Sequence, residues 1–206
     1  MLFHNLVLGS LGTNCYILAD ESTKKAIVVD APDRCDKILE FVEEKGYSVD
    51  KIVLTHGHYD HILALGELKE KTKAPLYVHE NGRDFLSDGI KNLSHYVGYE
   101  WTPIQADVYL KDGDTVEFGG ISLKVLHTPG HTADCICLLG DGIVISGDTL
   151  FRRSIGRCDH PTGDMRQEIE AIKEKLMILP DDVKVYPGHG PSTTIGEERK
   201  ENPYLS

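Results

Sequence analysis

No apolar run in this chain approaches the roughly 20 residues that a membrane-spanning helix needs, which argues against a membrane protein. The first residues, Met1-Leu2-Phe3-His4-Asn5, carry neither a basic region nor the long apolar core of a secretory signal. Positive charge is scarce: 22 Lys and Arg stand against 33 Asp and Glu, a formal net charge of −11. Binding to phosphate backbones or anionic lipid needs a basic surface, so the balance argues against nucleic-acid and membrane partners. There is no Cys-x-x-Cys pair, and the five cysteines are an odd number. Cys135-Ile136-Cys137 would place two thiols on one strand face, but no partner thiols complete a soft metal site. The cysteines read as reduced, mostly buried residues of a cytoplasmic protein. Tandem repeats, low-complexity tracts and linkers are also missing, so residues 1–206 suit one domain with a sizeable core.

What is present is a mixed succession of short elements. Leu2–Leu8, Asn14–Ala19 and Ala26–Val29 read as strands, and Asp33–Lys45 as a helix with Ile38, Leu39 and Val42 on its apolar stripe and Gly46 as its cap. Lys51–Thr55 returns as a strand, Ile62–Lys71 as a helix and Ala74–Val78 as a strand, and Glu80–Tyr99 lacks periodicity and suits short helices and loops. Val108–Leu110, Thr115–Phe118 and Ile121–His127 follow as strands, then a hairpin of Cys135–Leu139 and Ile143–Ser146. Asp164–Leu179 has a helical apolar face, and Lys184–Tyr186 is the last predicted strand. This order suits two sheets packed face to face with helices outside rather than a doubly wound sheet.

The chemistry concentrates in Thr55-His56-Gly57-His58-Tyr59-Asp60-His61. Three imidazoles and a carboxylate occupy the turn after a buried strand, where open α/β sheets place their sites. These are the ligands that borderline divalent metals prefer. A solvated loop is the bland alternative, and four ligand-type residues in one turn outweigh it. His56 and His58 share side-chain parity and can face one ion, while Asp60 and His61 can reach a second. His131, Asp148 and His189 each stand directly or one residue after a strand-ending turn, each preceded by a glycine that lets the backbone bend closely. Each alone has an ordinary turn reading; together with the first cluster they make seven ligands, enough for two ions if one carboxylate bridges. Asp148 is the best bridge. His127 and His160 lie near these motifs and are given structural roles.

These motifs, in this order, resemble the metallo-β-lactamase superfamily. His127-Thr128-Pro129-Gly130-His131-Thr132, Gly147-Asp148-Thr149-Leu150-Phe151 with Ser154-Ile155-Gly156-Arg157, and Tyr186-Pro187-Gly188-His189-Gly190-Pro191 resemble its glyoxalase II branch, the hydroxyacylglutathione hydrolases. The resemblance implies a four-layer αββα sandwich of two mixed β-sheets flanked by helices. It implies two divalent metal ions, zinc first and iron or manganese as alternatives. By position His56, His58 and His131 would hold one ion, Asp60, His61 and His189 the other, with Asp148 between them. The chain departs from the branch in three ways. The C-terminal helical domain that grips glutathione is not expected here; Leu63-Ala64 and Ala133-Asp134 replace Gly-Gly and Pro-Gly; and Arg153 stands where glycine is common.

The residue chemistry points to hydrolysis. A zinc-bound water has a pKa near 7, so two ions would supply hydroxide at neutral pH, with Asp60 and Asp148 as the catalytic carboxylates. A thiolate, from a thiol of pKa about 8.5, leaves without a strong general acid, which suits thioesters. Arg152, Arg153 and Arg157 could form a cationic rim that attracts an anionic substrate, and Phe151 and Ile155 could pack against an acyl group. The leading reading is a hydrolase of small anionic thioesters, S-(2-hydroxyacyl)glutathiones such as lactoylglutathione. The alternatives are a one-iron persulfide dioxygenase using His58-region and His131 imidazoles with Asp148, and a metal-dependent lactonase or β-lactamase.

Overall fold

The computed structural model describes Met1–Leu205. The second and third strands carry apolar residues on both faces and are buried on both, whereas the first is partly exposed. β1 (Leu2–Leu8), β2 (Thr13–Ala19) and β3 (Lys25–Val29) pair antiparallel; after α1 (Cys35–Glu44), β4 (Ser48–Val53) joins β3 in parallel. β5 (Leu76–His79) and β6 (Val108–Leu110) extend this sheet in parallel, giving the order β1-β2-β3-β4-β5-β6. The second sheet contains the antiparallel strands β7 (Thr115–Phe118), β8 (Ile121–His127), β9 (Ile136–Gly140) and β10 (Ile143–Gly147).

Three separate apolar clusters define four layers. Cys15, Ile17 and Val28 point to α1, whereas their neighbours Tyr16, Leu18, Ile27 and Val29 point to the second sheet. That is the two-residue alternation of an extended chain, with both faces covered. On the far side Cys137, Val144 and Val185 pack beneath Ile172 and Leu176. All five cysteines are free and four are buried, as expected for mostly buried, unpaired thiols.

Several boundaries differ from expectation. The helix expected over 62–71 is two pieces, α2 (Tyr59–Ile62) and α3 (Leu65–Thr72). It breaks because Ala31 N donates to the His61 carbonyl (2.8 Å) and Ala64 N donates to the Ala31 carbonyl (2.9 Å), using backbone groups a continuous helix would need. The metal motif therefore begins a helix, and Asp60 and His61 sit on its first turn. Leu150–Phe151 and Ser154–Ile155 form a small hairpin, β11 and β12, in which Arg153 takes a left-handed φ of 58°. α4 (Met165–Ala171) starts at Asp164, whose side chain accepts from Arg166 N and Gln167 N, and ends in a π-helical turn, Ile172–Leu176.

β13 (Lys184–Pro187) is not the last strand: β14 (Thr193–Thr194) pairs with it and α5 (Ile195–Glu201) follows. The Thr194-x-x-Glu197 spacing is the sequence signal for that helix, and Thr194 Oγ1 accepts from Glu197 N at 3.2 Å. β13 lies parallel to β10, so the second sheet is mixed and runs β14-β13-β10-β9-β8-β7.

Candidate metal centre

Both sheets turn the carboxyl ends of their parallel strands toward one edge, and the seven predicted ligands meet there. Asp30 at the end of β3 and residues 55–61 after β4 come from the first sheet. His131 from the β8–β9 loop, Asp148 after β10 and His189 after β13 come from the second. The sheets are tied at this edge: Asn14 N donates to the Gly188 carbonyl (2.7 Å), and Tyr16 Oη and Asn14 Nδ2 both donate to the Pro187 carbonyl (2.6 and 2.8 Å).

Hydrogen bonds on the outer side of the cluster fix several imidazoles. His61 Nδ1 donates to Asp30 Oδ2 at 2.8 Å, His131 Nδ1 to the Arg157 carbonyl at 2.7 Å, and His189 Nδ1 to the Leu11 carbonyl at 3.2 Å. An oxygen that can only accept forces a proton onto Nδ1, so Nε2 of all three faces inward, toward the cluster. Asp30 also accepts from Thr55 N and Thr55 Oγ1, each at 2.8 Å, and so anchors both ends of the motif. The sequence reading missed Asp30, although a carboxylate directly after the apolar run Ala26–Val29 follows the same rule that picked out Asp148.

The inward atoms sort into overlapping groups within 4.8 Å: His56, His58 and His131; His56, His61 and Asp148; and Asp60, His61 and His189. His58 Nδ1 lies 2.9 Å from His131 Nε2. Asp148 sits between the groups, with Oδ1 3.3 Å from His61 Nε2 and Oδ2 3.6 Å from His131 Nε2. Asp60 Oδ2 is 3.1 Å from His189 Nε2 and accepts from Thr13 Oγ1 at 3.2 Å.

Four inward atoms of this cluster are buried without any hydrogen-bond partner: His56 Nε2, His58 Nε2, His61 Nε2 and Asp148 Oδ1. An unsatisfied buried polar atom costs roughly 1–3 kcal/mol, so four together need an explanation. Divalent cations accept all of these lone pairs, and the donor set fits them. Burial and the neighbouring imidazoles hold His56 and His58 well below the ordinary histidine pKa, in the neutral form a metal requires. For Asp60 and Asp148 burial works the other way, but the surrounding imidazoles, His61 foremost, keep both pKa values low and both groups anionic. Burial likewise opposes protonation of His61, yet Asp148, Asp60 and Asp30 outweigh it and raise its pKa well above normal. That excess of negative charge is the pull a cation would satisfy.

Beside the cluster opens a cavity of about 780 Å³. Phe151, Arg152, Ile155 and Arg157, the predicted substrate-binding residues, all line it, as does His160, whose ring centroid is 5.5 Å from that of His58. Arg153 is not on the rim: its backbone N donates to Glu198 Oε2 at 2.8 Å and its guanidinium pairs with Glu201. His127 turns away to stack on His79, ring centroids 3.8 Å apart, as its structural reading expects. The sequence reading also missed the opposite wall, Leu93, Tyr96 and Val97, because that stretch has no periodicity to announce it.

Two mixed sheets between helices, with a histidine–aspartate cluster at their shared edge, define a class of metal-binding sandwich proteins. The chain belongs to the metallo-beta-lactamase superfamily, whose family model matches residues 8–189. A protein of Aquifex aeolicus is 38% identical over 99% of this chain and 97% of its own length. The hydroxyacylglutathione hydrolase GloC of Haemophilus influenzae is 30% identical over 94% of this chain and 92% of its own. Among solved structures, the BLEG-1 B3 metallo-beta-lactamase superposes with a TM-score of 0.94 at 32% identity, covering 100% of both chains. ETHE1 from Myxococcus xanthus gives 0.85 at 33% identity, covering 98% of this chain and 84% of that one. TTHA1623, solved in a di-iron-bound form, gives 0.87 at 32% identity over 98% of this chain and 100% of its own.

Proposed function

We propose that this protein is a metal-dependent hydrolase of small anionic thioesters, with S-(2-hydroxyacyl)glutathiones such as lactoylglutathione as the leading substrates. The products are a 2-hydroxy acid and a free thiol. The observation that carries this reading is the set of seven inward ligands, four of their atoms otherwise unpartnered, opening onto a cavity large enough for such a substrate. The likeness to GloC supports the substrate class, and the di-iron form of TTHA1623 supports two ions at a related site.

His56, His58 and His131 would hold one ion, Asp60, His61 and His189 the other, and Asp148 would contact both. When bound, zinc, iron or manganese ions supply Lewis acidity and lower the pKa of water from 15.7 to about 7. Asp60, kept anionic and held by Thr13 Oγ1, accepts a hydrogen bond from the attacking water and orients it. Among the described residues Asp60 and Asp148 are the only carboxylates lining the cavity, and both are held deprotonated, so no carboxylic acid is poised to protonate a leaving group. A thiolate departs without that help, whereas an amide nitrogen needs a proton.

The test is turnover of lactoylglutathione, of a cephalosporin and of glutathione persulfide with oxygen uptake recorded, on one metal-loaded preparation. Thioester hydrolysis without oxygen uptake is expected. Oxygen consumption with one bound iron, or cephalosporin turnover without thioesterase activity, would overturn the reading.

A further inference from the structure

The three arginines of the 152–157 segment are not equivalent. Arg153 is committed to Glu198 and Glu201 outside the cavity. Arg157 lines the cavity, but its Nε and Nη2 donate to the two carboxylate oxygens of Asp159 at 3.0 and 2.8 Å, so its charge is answered locally. Arg152 lines the cavity at the tip of the β11–β12 hairpin, and among the described residues its side chain has no ion pair or hydrogen bond. A guanidinium is suited to a carboxylate because its planar fork matches both oxygens.

The opposite wall has another character. Leu93, Tyr96 and Val97 line the same cavity, and Tyr96 and Val97 remain 66% and 54% exposed. Exposed apolar side chains gathered at the mouth of a site mark a binding surface more often than scattered ones do. This lip is held in place. Buried Asn92 donates from Nδ2 to the Phe85 carbonyl (2.9 Å), accepts from Ser94 N (2.9 Å), and its carbonyl accepts from Tyr59 N (2.8 Å), inside the metal motif. Leu93 itself adopts a left-handed φ of 68°, a strained backbone for a leucine that such bonds must maintain.

We infer that Arg152 anchors the carboxylate of an anionic thiol carrier, while Leu93, Tyr96 and Val97 receive an apolar or aromatic acyl group. Within the proposed class of S-(2-hydroxyacyl)glutathiones, members with an apolar or aromatic acyl group are therefore turned over in preference to the lactoyl member. This rests on the thioesterase reading above and narrows it.

The experiment compares S-lactoylglutathione and S-mandeloylglutathione with the neutral S-mandeloyl-N-acetylcysteamine on the metal-loaded enzyme. In parallel, the non-hydrolysable thioether S-benzylglutathione is titrated calorimetrically. Arg152→Ala should lower the preference for the glutathione over the cysteamine thioester about tenfold and weaken S-benzylglutathione binding by a similar factor, about 1.4 kcal/mol. Arg152→Lys should retain part of both, and Arg153→Ala should retain all. Tyr96→Ser/Val97→Ser should lower the mandeloyl over lactoyl preference severalfold. Unchanged preferences in Arg152→Ala, or an equal loss in Arg153→Ala, overturn the anion anchor; an unchanged acyl preference in the Tyr96/Val97 variant overturns the apolar lip. S-benzylglutathione binding through Arg152 without turnover of any thioester would instead overturn the proposed function and leave the anchor standing.

Discussion

Individual residues divide into the ligand-type side chains that face one another at the sheet edge and those that hold them in place. The first group was legible in the sequence because histidine and aspartate next to strand-ending glycines are chemically conspicuous. The second group was less so: Asp30 looks like any turn aspartate until the fold brings it against Thr55 and His61. Asp134 is similar. The fold buries it against Gly57, between His56 and His58, with Thr132 Oγ1 donating to it at 2.6 Å. Burial raises its pKa to about 6, against the hydrogen bonds from Thr132, its own backbone and Gly57 that favour the anion. A carboxyl with a raised folded-state pKa binds its proton more tightly in the native state. Its stabilising contribution is complete below the unfolded value near 3.9 and is lost as pH rises through about 6. Urea titrations of the parent and Asp134→Asn at pH 4 to 7 should show the parent gaining relative to the variant as pH falls. A stability difference that stays flat, or changes in the opposite sense, would rule out this role.

At the scale of elements, periodicity located most strands to within two or three residues and failed where tertiary hydrogen bonds decide. The break between α2 and α3 depends on Ala31, distant in sequence, and the β11–β12 hairpin and β14 are too short to carry a pattern. The turn after β13 shows how an element delivers a ligand. A Cβ at Gly188 would lie 2.1 Å from Asp148 Oδ1 and 2.8 Å from His61 Cε1, so no larger residue fits without moving both ligands. Gly188→Ala should therefore lose metal affinity by one to two orders of magnitude while retaining a cooperative thermal transition, a magnitude typical of displaced metal surroundings. Competition with a chromophoric chelator measures it; affinity equal to the parent would show that the turn yields without disturbing the ligands.

For the whole molecule, the four layers bring the carboxyl ends of two sheets to one edge, and strand order alone suggested that architecture. Among the described residues no helix is long and apolar enough to cross a membrane. With a net charge of −11, the anion recognition proposed above would fall to the local field at the metal cluster and Arg152 rather than to the overall charge. The central claim is that ligands from both sheets form one two-ion centre with Asp148 between the ions. Metal per chain, measured by elemental analysis on the purified parent and Asp148→Ala, tests it most directly. The account predicts two ions in the parent and loss of metal in the variant. Two ions retained in Asp148→Ala would contradict the bridging role, and a fully active parent with a single ion would contradict the two-ion centre.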